Sequence, residues 1–265
     1  MAIQKPSDYA RSPVRFVTEV LGEDRTVEDV LEGRQPEADA PWGKQTDILE
    51  SVRDNRRTVV PSAHNVGKTH IAARVGLSFL YTHRPSVVLT TAPKLTQVRD
   101  LLWARWRAAH SRSKHKLGGE CLTVRCQPDP DNPEWFAVGL TAKDDVAFGG
   151  YHEAHLLLIL DEAPGVPPHI WEAVEGMLSG ENVRCLAIGN PVERSGPFYQ
   201  AARSPLWHTI NISAWEHPIA HTSGSSTPRR WRLAGPRNGR RSGARSRPCT
   251  NRACWASFRM KGRTP

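Results

Sequence analysis

The segment from residue 57 to residue 82 constrains the fold of this chain more than any other. A short β-branched run, Thr58-Val59-Val60, is followed by a loop at 61–67 and then by apolar residues that recur at helical spacing up to Tyr81. The loop and the start of the helix read Ser62-Ala-His-Asn-Val-Gly67-Lys68-Thr69. This sequence fits the pattern G-x-x-x-x-G-K-S/T, except that Ser62 replaces the first glycine. A strand, such a loop and a helix in this order predict a phosphate-binding loop.

The residue types in this loop suit the chemistry of a nucleotide. Backbone N–H groups of the loop and of the helix N-terminus would point at the β-phosphate. Gly67 lets the backbone come close to it, Lys68 is expected to bridge β and γ oxygens, and the Thr69 hydroxyl is expected to bind Mg²⁺. The alternative interpretation is a Gly-Lys-Thr turn that only starts a helix.

A second element supplies two carboxylates. The continuous apolar run Leu156–Leu160 is typical of a central parallel strand covered on both faces, and Asp161 and Glu162 follow it directly. We predict that Asp161 holds the magnesium ion and that Glu162 orients the attacking water as a base. The alternative is a buried strand followed by a solvated acidic turn.

Two further polar residues are candidate ligands of the nucleotide. Asn190 ends the run Leu186–Ile188 in a Gly-Asn-Pro turn, and it is predicted to sense the γ-phosphate or the attacking water. Gln45, with Trp42 nearby, is predicted to hydrogen-bond the adenine edge. The alternatives are a turn without ligand contact and a surface glutamine. The complete predicted site for ATP and magnesium consists of Gln45, Ser62, Gly67, Lys68, Thr69, Asp161, Glu162 and Asn190.

The order of the predicted elements indicates an α/β fold of the P-loop NTPase class, in which helices flank a mostly parallel β-sheet. The pattern predicts strands at 58–60, 86–91, 121–126, 135–140, 156–160 and 183–188, and helices at 45–53, 68–81, 95–110 and 169–178. It divides the chain into an N-terminal helical and loop segment at 1–40, an ATPase domain at 41–216 and a C-terminal tail at 217–265.

The tail differs in charge from the rest of the chain. Residues 217–265 contain twelve Arg and Lys residues and no Asp or Glu, so residues 1–216 carry 24 basic and 27 acidic side chains. The tail therefore carries +12 and residues 1–216 carry −3, so the whole positive excess behind the net charge of +9 lies in the tail. A segment this basic and this poor in aliphatic residues is predicted to be disordered, and a shifted reading frame would also produce such a composition.

Composition excludes several classes of protein. The mean hydropathy is −0.51 and no apolar run approaches 20 residues, which argues against a membrane span. The N-terminus has no secretory pattern, so a cytoplasmic protein is expected. Five cysteines do not suggest a disulfide framework. Zinc binding by Cys121 and Cys126 is not favoured, because a separation of five along one strand puts the two side chains on opposite faces.

Several segments together resemble the ATPase half of the large terminase subunit, the DNA-packaging motor of tailed bacteriophages. The matching sequence motifs are Pro41-Trp42-Gly43-Lys44-Gln45, the loop 62–69, Thr90-Thr91-Ala92-Pro93, Gln97-Val98-Arg99, Leu158-Ile159-Leu160-Asp161-Glu162-Ala163, Ile188-Gly189-Asn190-Pro191 and Ser195-Gly196-Pro197-Phe198-Tyr199. The resemblance covers roughly residues 40–216. It implies ATP-driven translocation of double-stranded DNA into a procapsid, by a homo-oligomeric ring that works with a small terminase subunit and a portal protein in the host cytoplasm.

The resemblance also implies roles for single residues. Gln45 would read adenine, Lys68 and Thr69 would be the phosphate-loop pair, and Asp161 and Glu162 would be the magnesium and catalytic carboxylates. The turn Gly189-Asn190 would couple hydrolysis to motion.

The chain departs from the family pattern in two places. Members often have an arginine in the phosphate loop, where this chain has His64 and Asn65, so Arg99 and Arg105 become candidates for stabilising the transition state. Large terminases normally continue into a nuclease with a cluster of Asp residues, but no carboxylate side chain follows Glu216 here. Truncation before the nuclease domain, and no nuclease activity, are therefore expected.

Other interpretations remain open at this point. Residues 94–116 contain seven basic residues and one acidic residue, with Trp103 and Trp106 between them, so this stretch could bind a DNA backbone. Alternatively, the two tryptophans lie in the core and the arginines in water. The chain could also be another nucleic-acid-dependent ATPase of the helicase type, or an inactive remnant that only binds nucleotide or DNA.

Overall fold

A computed structural model describes residues 6–26, 29, 32, 34, 39–141, 151 and 154–216. The tail at 217–265, for which disorder was one prediction, lies outside the described residues. The strands are β1 (Arg57–Pro61), β2 (Val87–Ala92), β3 (Glu120–Cys121), β4 (Arg125–Gln127), β5 (Phe136–Thr141), β6 (Leu156–Leu160), β7 (Val183–Gly189) and β8 (His208–Thr209). The α-helices are α1 (Pro6–Arg11), α2 (Pro13–Arg15), α3 (Gly43–Asp54), α4 (Lys68–Thr82), α5 (Trp103–Arg112), α6 (Pro168–Met177) and α7 (Gly196–Ala201).

The eight strands form one sheet in the order β3-β4-β5-β2-β6-β7-β1-β8. Every pairing from β5 to β8 is parallel, and only β3 and β4 join antiparallel at one edge. The predicted α/β fold with a mostly parallel sheet is therefore confirmed. Strand β7 lies between β1 and β6, so the loop after β1 and the acidic residues after β6 are separated by one strand.

Helices cover both faces of the sheet, and each face has its own apolar core. Along β6, Leu157 and Ile159 belong to the core beneath α3, α4 and α5, whereas Leu156, Leu158 and Leu160 belong to the core beneath α6 and α7. Strand side chains alternate between faces, so a strand buried on both sides must be apolar throughout. This explains why the run 156–160 contains no polar residue.

Helix α4 packs across the sheet directly after the phosphate loop. Gly67 precedes it with a left-handed backbone (φ 82°), and the helix ends just before the Arg84-Pro85 pair. Nearly all of its residues are buried, from Ile71 to Thr82. The predicted helix at 68–81 is confirmed, and its burial fixes the position of the residues at its N-terminus.

Two predicted elements differ from the structure. The helix predicted at 95–110 begins as a π-helix, Gln97–Leu102, and becomes α-helical only at Trp103. The single strand predicted at 121–126 is wrong, because the chain reverses there and Cys121 pairs with Cys126 across the antiparallel strands β3 and β4. The statement that these two cysteines lie on opposite faces of one strand is wrong for the same reason.

The two tryptophans of the basic stretch lie in the core. Trp103 and Trp106 are completely buried, and their rings stack with centroids 5.0 Å apart. They are therefore not available to stack on nucleic-acid bases, which confirms the core interpretation of this stretch. Among the described residues, no helix is both long and apolar enough to span a lipid bilayer.

A buried ion pair fastens the N-terminal segment to α4. Arg74 donates from Nε to Glu23 Oε2 at 2.9 Å and from Nη2 to Glu23 Oε1 at 2.5 Å. The two side chains are only 8% and 13% exposed. Residues 16–21 also contribute Phe16, Val17 and Val20 to the same core as α4, so residues 16–23 pack as part of the layer that covers the sheet.

We expect Arg74→Met to lower the free energy of unfolding by about 3 kcal/mol, because it leaves the Glu23 carboxylate buried without its partner. Arg99→Met is the matched control. Arg99 pairs with Asp100 in an ion pair whose side chains are 46% and 50% exposed, and because water screens such a pair its loss should change the stability little. Urea unfolding of both variants measures the difference, and equal losses would contradict the prediction.

Candidate functional site

The predicted site residues follow three neighbouring strands at the same edge of the sheet. Strand β1 ends at Pro61, β7 at Gly189 and β6 at Leu160, and all three run parallel. Their carboxyl ends therefore meet at one edge, which is where ligands bind in open parallel sheets. The phosphate loop, Asn190 and the pair Asp161-Glu162 are brought together in this way.

The loop after β1 has the backbone shape of an anion-binding cradle. Asn65 and Gly67 both have left-handed backbones, with φ of 60° and 82°. Alternation of left-handed and right-handed residues turns successive N–H groups toward one point and forms a concave site for an anion. A side chain at position 67 would be strained by this φ, and its Cβ would lie 2.5 Å from Gln45 Nε2. Glycine is therefore required there.

Lys68 is a buried ammonium group at the first turn of α4. It is 8% exposed, and its Nζ donates to Asn190 Oδ1 at 2.6 Å and to the Ala63 carbonyl at 3.2 Å. Burial lowers the pKa of Lys68, and the carboxylates of Glu162 and Asp161 oppose this shift through space. A buried cation held by two neutral oxygens is suited to receive an anionic ligand.

Thr69 connects the phosphate loop to the acidic pair. Its hydroxyl donates a hydrogen bond to the Asp161 carboxylate, which also accepts the Glu162 backbone N–H at 3.0 Å. Asp161 is 1% exposed, and burial raises its pKa to about 6, with a further rise caused by the nearby Glu162 carboxylate. Glu162 itself has a left-handed backbone with φ of 48°, a conformation that is rare for a residue of this size and is often found at functional sites.

The raised pKa of Asp161 predicts a pH dependence of stability. An acid whose folded pKa is about 6 instead of 3.8 is protonated in both states at low pH. As the pH rises from about 4 to 6, the carboxyl loses its proton in the unfolded state before it does so in the folded state, and the free energy of unfolding falls. We expect the free energy of unfolding of the wild type, minus that of Asp161→Asn, to fall by about 2 kcal/mol between pH 4 and pH 7.

Chemical unfolding at several pH values measures this difference. Its change with pH does not depend on how much the substitution alters the stability at a single pH. Asp100→Asn is the control, because Asp100 is exposed and its pKa is lowered by Arg99, so the same difference should not fall there. Parallel pH curves for the wild type and Asp161→Asn would show that Asp161 does not carry the effect.

Gly189 is the point of contact between the three strand ends. Its carbonyl accepts the backbone N–H of Ser62 at 3.0 Å. A Cβ built on Gly189 would collide with the ring of Pro164, in the 3₁₀ turn Ala163–Gly165 that follows the acidic pair. The absence of a side chain at 189 thus lets the turn after Asp161-Glu162 pack directly on the end of β7.

The structure places the remaining predicted ligands as follows. Gln45 lies in the first turn of α3, 6% exposed, with its amide against Gly67. Ser62 is completely buried, its N–H is already bonded to Gly189, and its hydroxyl lacks a hydrogen-bond partner among the described residues. The roles of Gln45 in reading adenine and of Ser62 in binding phosphate therefore stay predictions.

Two residues at the site were not predicted to contact its members. A His64 ring nitrogen lies 2.7 Å from Asn190 Nδ2, so Asn190 connects His64 to Lys68. Pro164 packs on Gly189, as described above. No signal in the sequence indicated either contact, since both depend on how the loop and the turn fold over the sheet edge.

The candidate arginines stay predictions as well. Arg99 bonds to Asp100 beside it in the chain, and Arg105 donates to the Leu101 carbonyl at 3.3 Å. Within the described part of the chain, these side-chain contacts are local to the segment 97–105 and do not reach the phosphate loop.

The donor atoms at this site fit a magnesium ion. The Thr69 hydroxyl and the Asp161 carboxylate are hard oxygen donors, and they already lie within hydrogen-bond distance of each other. Burial disfavours the ionised form of the Asp161 carboxyl and raises its pKa, and a bound cation would favour that form. The site is thus chemically suited to a divalent cation bound together with phosphate oxygens.

Comparisons with known proteins agree with this geometry. No protein-family model matches the chain. A probable terminase large subunit of Enterobacteria phage P7 is 29% identical over 195 residues, which cover 65% of this chain and 36% of that protein. The chain therefore spans about a third of the length of this curated relative.

Two solved structures share the fold. The large terminase ATPase domain of Thermus phage P74-26, as an arginine-to-alanine mutant, has a TM-score of 0.53 and 19% identity, over 66% of this chain and 82% of that chain. The large terminase of another thermophilic bacteriophage, solved in complex with ADP, has a TM-score of 0.50 and 12% identity, over 63% of this chain and 44% of that chain. This chain is thus similar in sequence to a probable large terminase subunit of a bacteriophage, and in fold to the ATPase domain of a phage large terminase.

Proposed function

We propose that this chain is a magnesium-dependent ATPase of the phage DNA-packaging type. One observation carries the proposal. The phosphate loop, the end of β7 and the acidic pair form a single connected group, through the Thr69–Asp161 hydrogen bond and the Lys68–Asn190 hydrogen bond. These are the groups that phosphoryl transfer to water requires: a cradle, a cation, a metal site and a base.

Binding of the triphosphate would use the loop and the start of α4. The N–H groups turned inward by Asn65 and Gly67 would bind phosphate oxygens, and the Lys68 ammonium would leave Asn190 to pair with β and γ oxygens. Thr69 and Asp161 would hold Mg²⁺, which when bound neutralises charge on those oxygens. Gln45, adjacent to Gly67, would contact the adenine end of the nucleotide.

Hydrolysis would use Glu162 as the base. The carboxylate would orient a water molecule and accept its proton as the oxygen attacks the γ-phosphorus. Its left-handed backbone directs the chain into the Ala163–Gly165 turn, so Asp161 and Glu162 can serve two purposes side by side. Asn190, released from Lys68 by the nucleotide, would sense whether the γ-phosphate is present.

The larger assembly is proposed from the similarity to large terminases. Double-stranded DNA would be the translocated substrate, and the chain would act in a homo-oligomeric ring with a small terminase subunit and a portal protein, in the cytoplasm of a bacterial host. Because no Asp or Glu follows Glu216, we do not expect nuclease activity from these 265 residues.

Phosphate release by the purified full chain tests the proposal. We expect turnover that requires Mg²⁺ and is stimulated by duplex DNA more than by single strands. Stimulation by single strands alone would favour a helicase-like ATPase, and nucleotide binding without turnover would indicate an inactive remnant. If the chain binds neither ATP nor ADP, the proposal is wrong.

A further inference from the structure

A second cluster of chemically reactive side chains lies at the antiparallel edge of the sheet. Cys121 on β3 and Cys126 on β4 are directly opposite each other, and His110 lies in the last turn of α5. One ring nitrogen of His110 and the two sulfur atoms all lie within 4.8 Å of one another. Strand β2, with its neighbours β5 and β6, lies between this edge and the phosphate loop, so the cluster belongs to a different part of the molecule.

The surroundings of the cluster hold its members in place. Cys126 is completely buried, whereas Cys121 and His110 are partly exposed. The Tyr81 hydroxyl donates to the Gly118 carbonyl at 2.6 Å and lies 2.9 Å from His110 Nε2 and 4.0 Å from Cys126 Sγ. A hydrogen bond to the imidazole of this kind orients histidines that bind metals.

The donor set is selective in its chemistry. Two thiolates and one imidazole are soft and borderline ligands, which suit zinc and related ions and do not suit Mg²⁺ or Ca²⁺. Zinc–sulfur and zinc–nitrogen bond lengths place tetrahedral ligand atoms about 3.3 to 3.8 Å apart. The imidazole nitrogen and the two sulfur atoms lie within 4.8 Å of one another, so once the disulfide is reduced small side-chain rotations can bring them to this spacing.

The oxidation state decides whether the sulfur atoms are available. In the structure, Cys121 and Cys126 are joined as a disulfide. We propose that the reduced pair, together with His110, binds one thiophilic divalent cation of the zinc class, with a fourth position open to water. Two thiol protons pass to the buffer when the cation binds, because the thiolate is the ligand.

A cation there would link parts of the fold that are distant in the sequence. It would join the C-terminal turn of α5 to both strands of the β3–β4 hairpin. This hairpin is short, with strands of two and three residues, and it extends the sheet beyond β5. The expected consequence is a higher melting temperature of the reduced protein when zinc is present.

Cobalt(II) binding to the reduced full chain tests the proposal. A phosphine converts the disulfide and one water molecule into two thiols and phosphine oxide, and it is then removed. We expect one Co²⁺ per chain, with sulfur-to-cobalt charge-transfer absorption that disappears when Zn²⁺ is added. Cys121→Ser, Cys126→Ser and His110→Ala should each weaken the binding about a hundredfold or more.

The chain offers a matched control for cysteine spacing. Cys249 and Cys254 have the same separation as Cys121 and Cys126, so the double variant C249S/C254S should keep the absorption and the affinity. If this double variant loses them, or if Cys121→Ser and Cys126→Ser keep them, the proposal is wrong.

A measurement on the unmodified chain guards against variants that fail to fold. Zn²⁺ should slow the alkylation of Cys121, the partly exposed thiol of the pair, in the reduced protein, as followed by mass spectrometry of its peptide. Equal alkylation rates with and without Zn²⁺ would overturn the proposal, whatever the variants show. None of these readouts depends on ATP hydrolysis.

Discussion

Lys68→Ala is expected to abolish the binding of Mg·ATP. The ammonium is the buried cation of the phosphate loop, and its two direct partners, Asn190 and Ala63, offer only neutral oxygens. Loss of two or three charge-assisted hydrogen bonds to phosphate costs about 3 kcal/mol or more, which is at least about a hundredfold in affinity. Titration of the protein with a fluorescent ATP analogue measures the change.

The loss of binding can be separated from unfolding. Burial already disfavours the charged form of Lys68, so replacing it by alanine should not collapse the fold, and the melting temperature checks this. Lys94→Ala is the matched control, because Lys94 is exposed and lies on a different segment. Unchanged ATP affinity in a folded Lys68→Ala protein would refute the assignment of the loop.

Glu162→Gln is expected to keep nucleotide binding and to stop hydrolysis. The amide has the shape of the carboxylate but cannot accept the proton of the attacking water, and loss of a general base slows reactions about 10²- to 10⁴-fold. The charge of Glu162 helps to raise the pKa of Asp161. Removing that charge should therefore favour the ionised form of Asp161, which is the form expected to bind Mg²⁺. ATP affinity should therefore stay equal or increase.

Single-turnover phosphate release, measured at saturating ATP, isolates the chemical step in this variant. Glu172→Gln serves as the control, since Glu172 is exposed on α6 and should turn over like the wild type. If Glu162→Gln hydrolyses ATP at the wild-type rate, the base must be another group. If it binds no nucleotide, Glu162 has a structural role.

Much of the fold could be predicted because its signals are local. The apolar run 156–160 and the helical recurrence after Lys68 depend only on neighbouring residues, and both elements agree with the structure. The reversal between Cys121 and Cys126 could not be predicted, because Leu122, Thr123 and Val124 are residues typical of strands and contain no glycine or proline. The π-helix at 97–102 was missed because its extra residue per turn leaves the apolar pattern helical.

The sequence predicted which segments form the site better than it predicted which side chains in them touch. The convergence of Thr69 and Asp161 was expected, since the ends of parallel strands meet at one edge, and in the structure the Thr69 hydroxyl is hydrogen-bonded to the Asp161 carboxylate. The chain of contacts from His64 through Asn190 to Lys68 depends on the path of a loop in three dimensions. The contact of Ser62 depends on this path as well. Ser62 was predicted to bind phosphate, but its backbone N–H is bonded to Gly189 at the end of β7.

The lack of a side chain at Gly189 has a mechanical consequence for the proposed ATPase. The loop after β1 and the turn after Asp161-Glu162 both contact the end of β7 there, the loop by the hydrogen bond from the Ser62 N–H to the Gly189 carbonyl and the turn by the ring of Pro164. Neither the loop after β1 nor the turn after Asp161-Glu162 can move far without disturbing its contact with Gly189. In the proposed ATPase, a shift of either segment on cleavage of the γ-phosphate would therefore act first on this end of β7, whose other end is Val183.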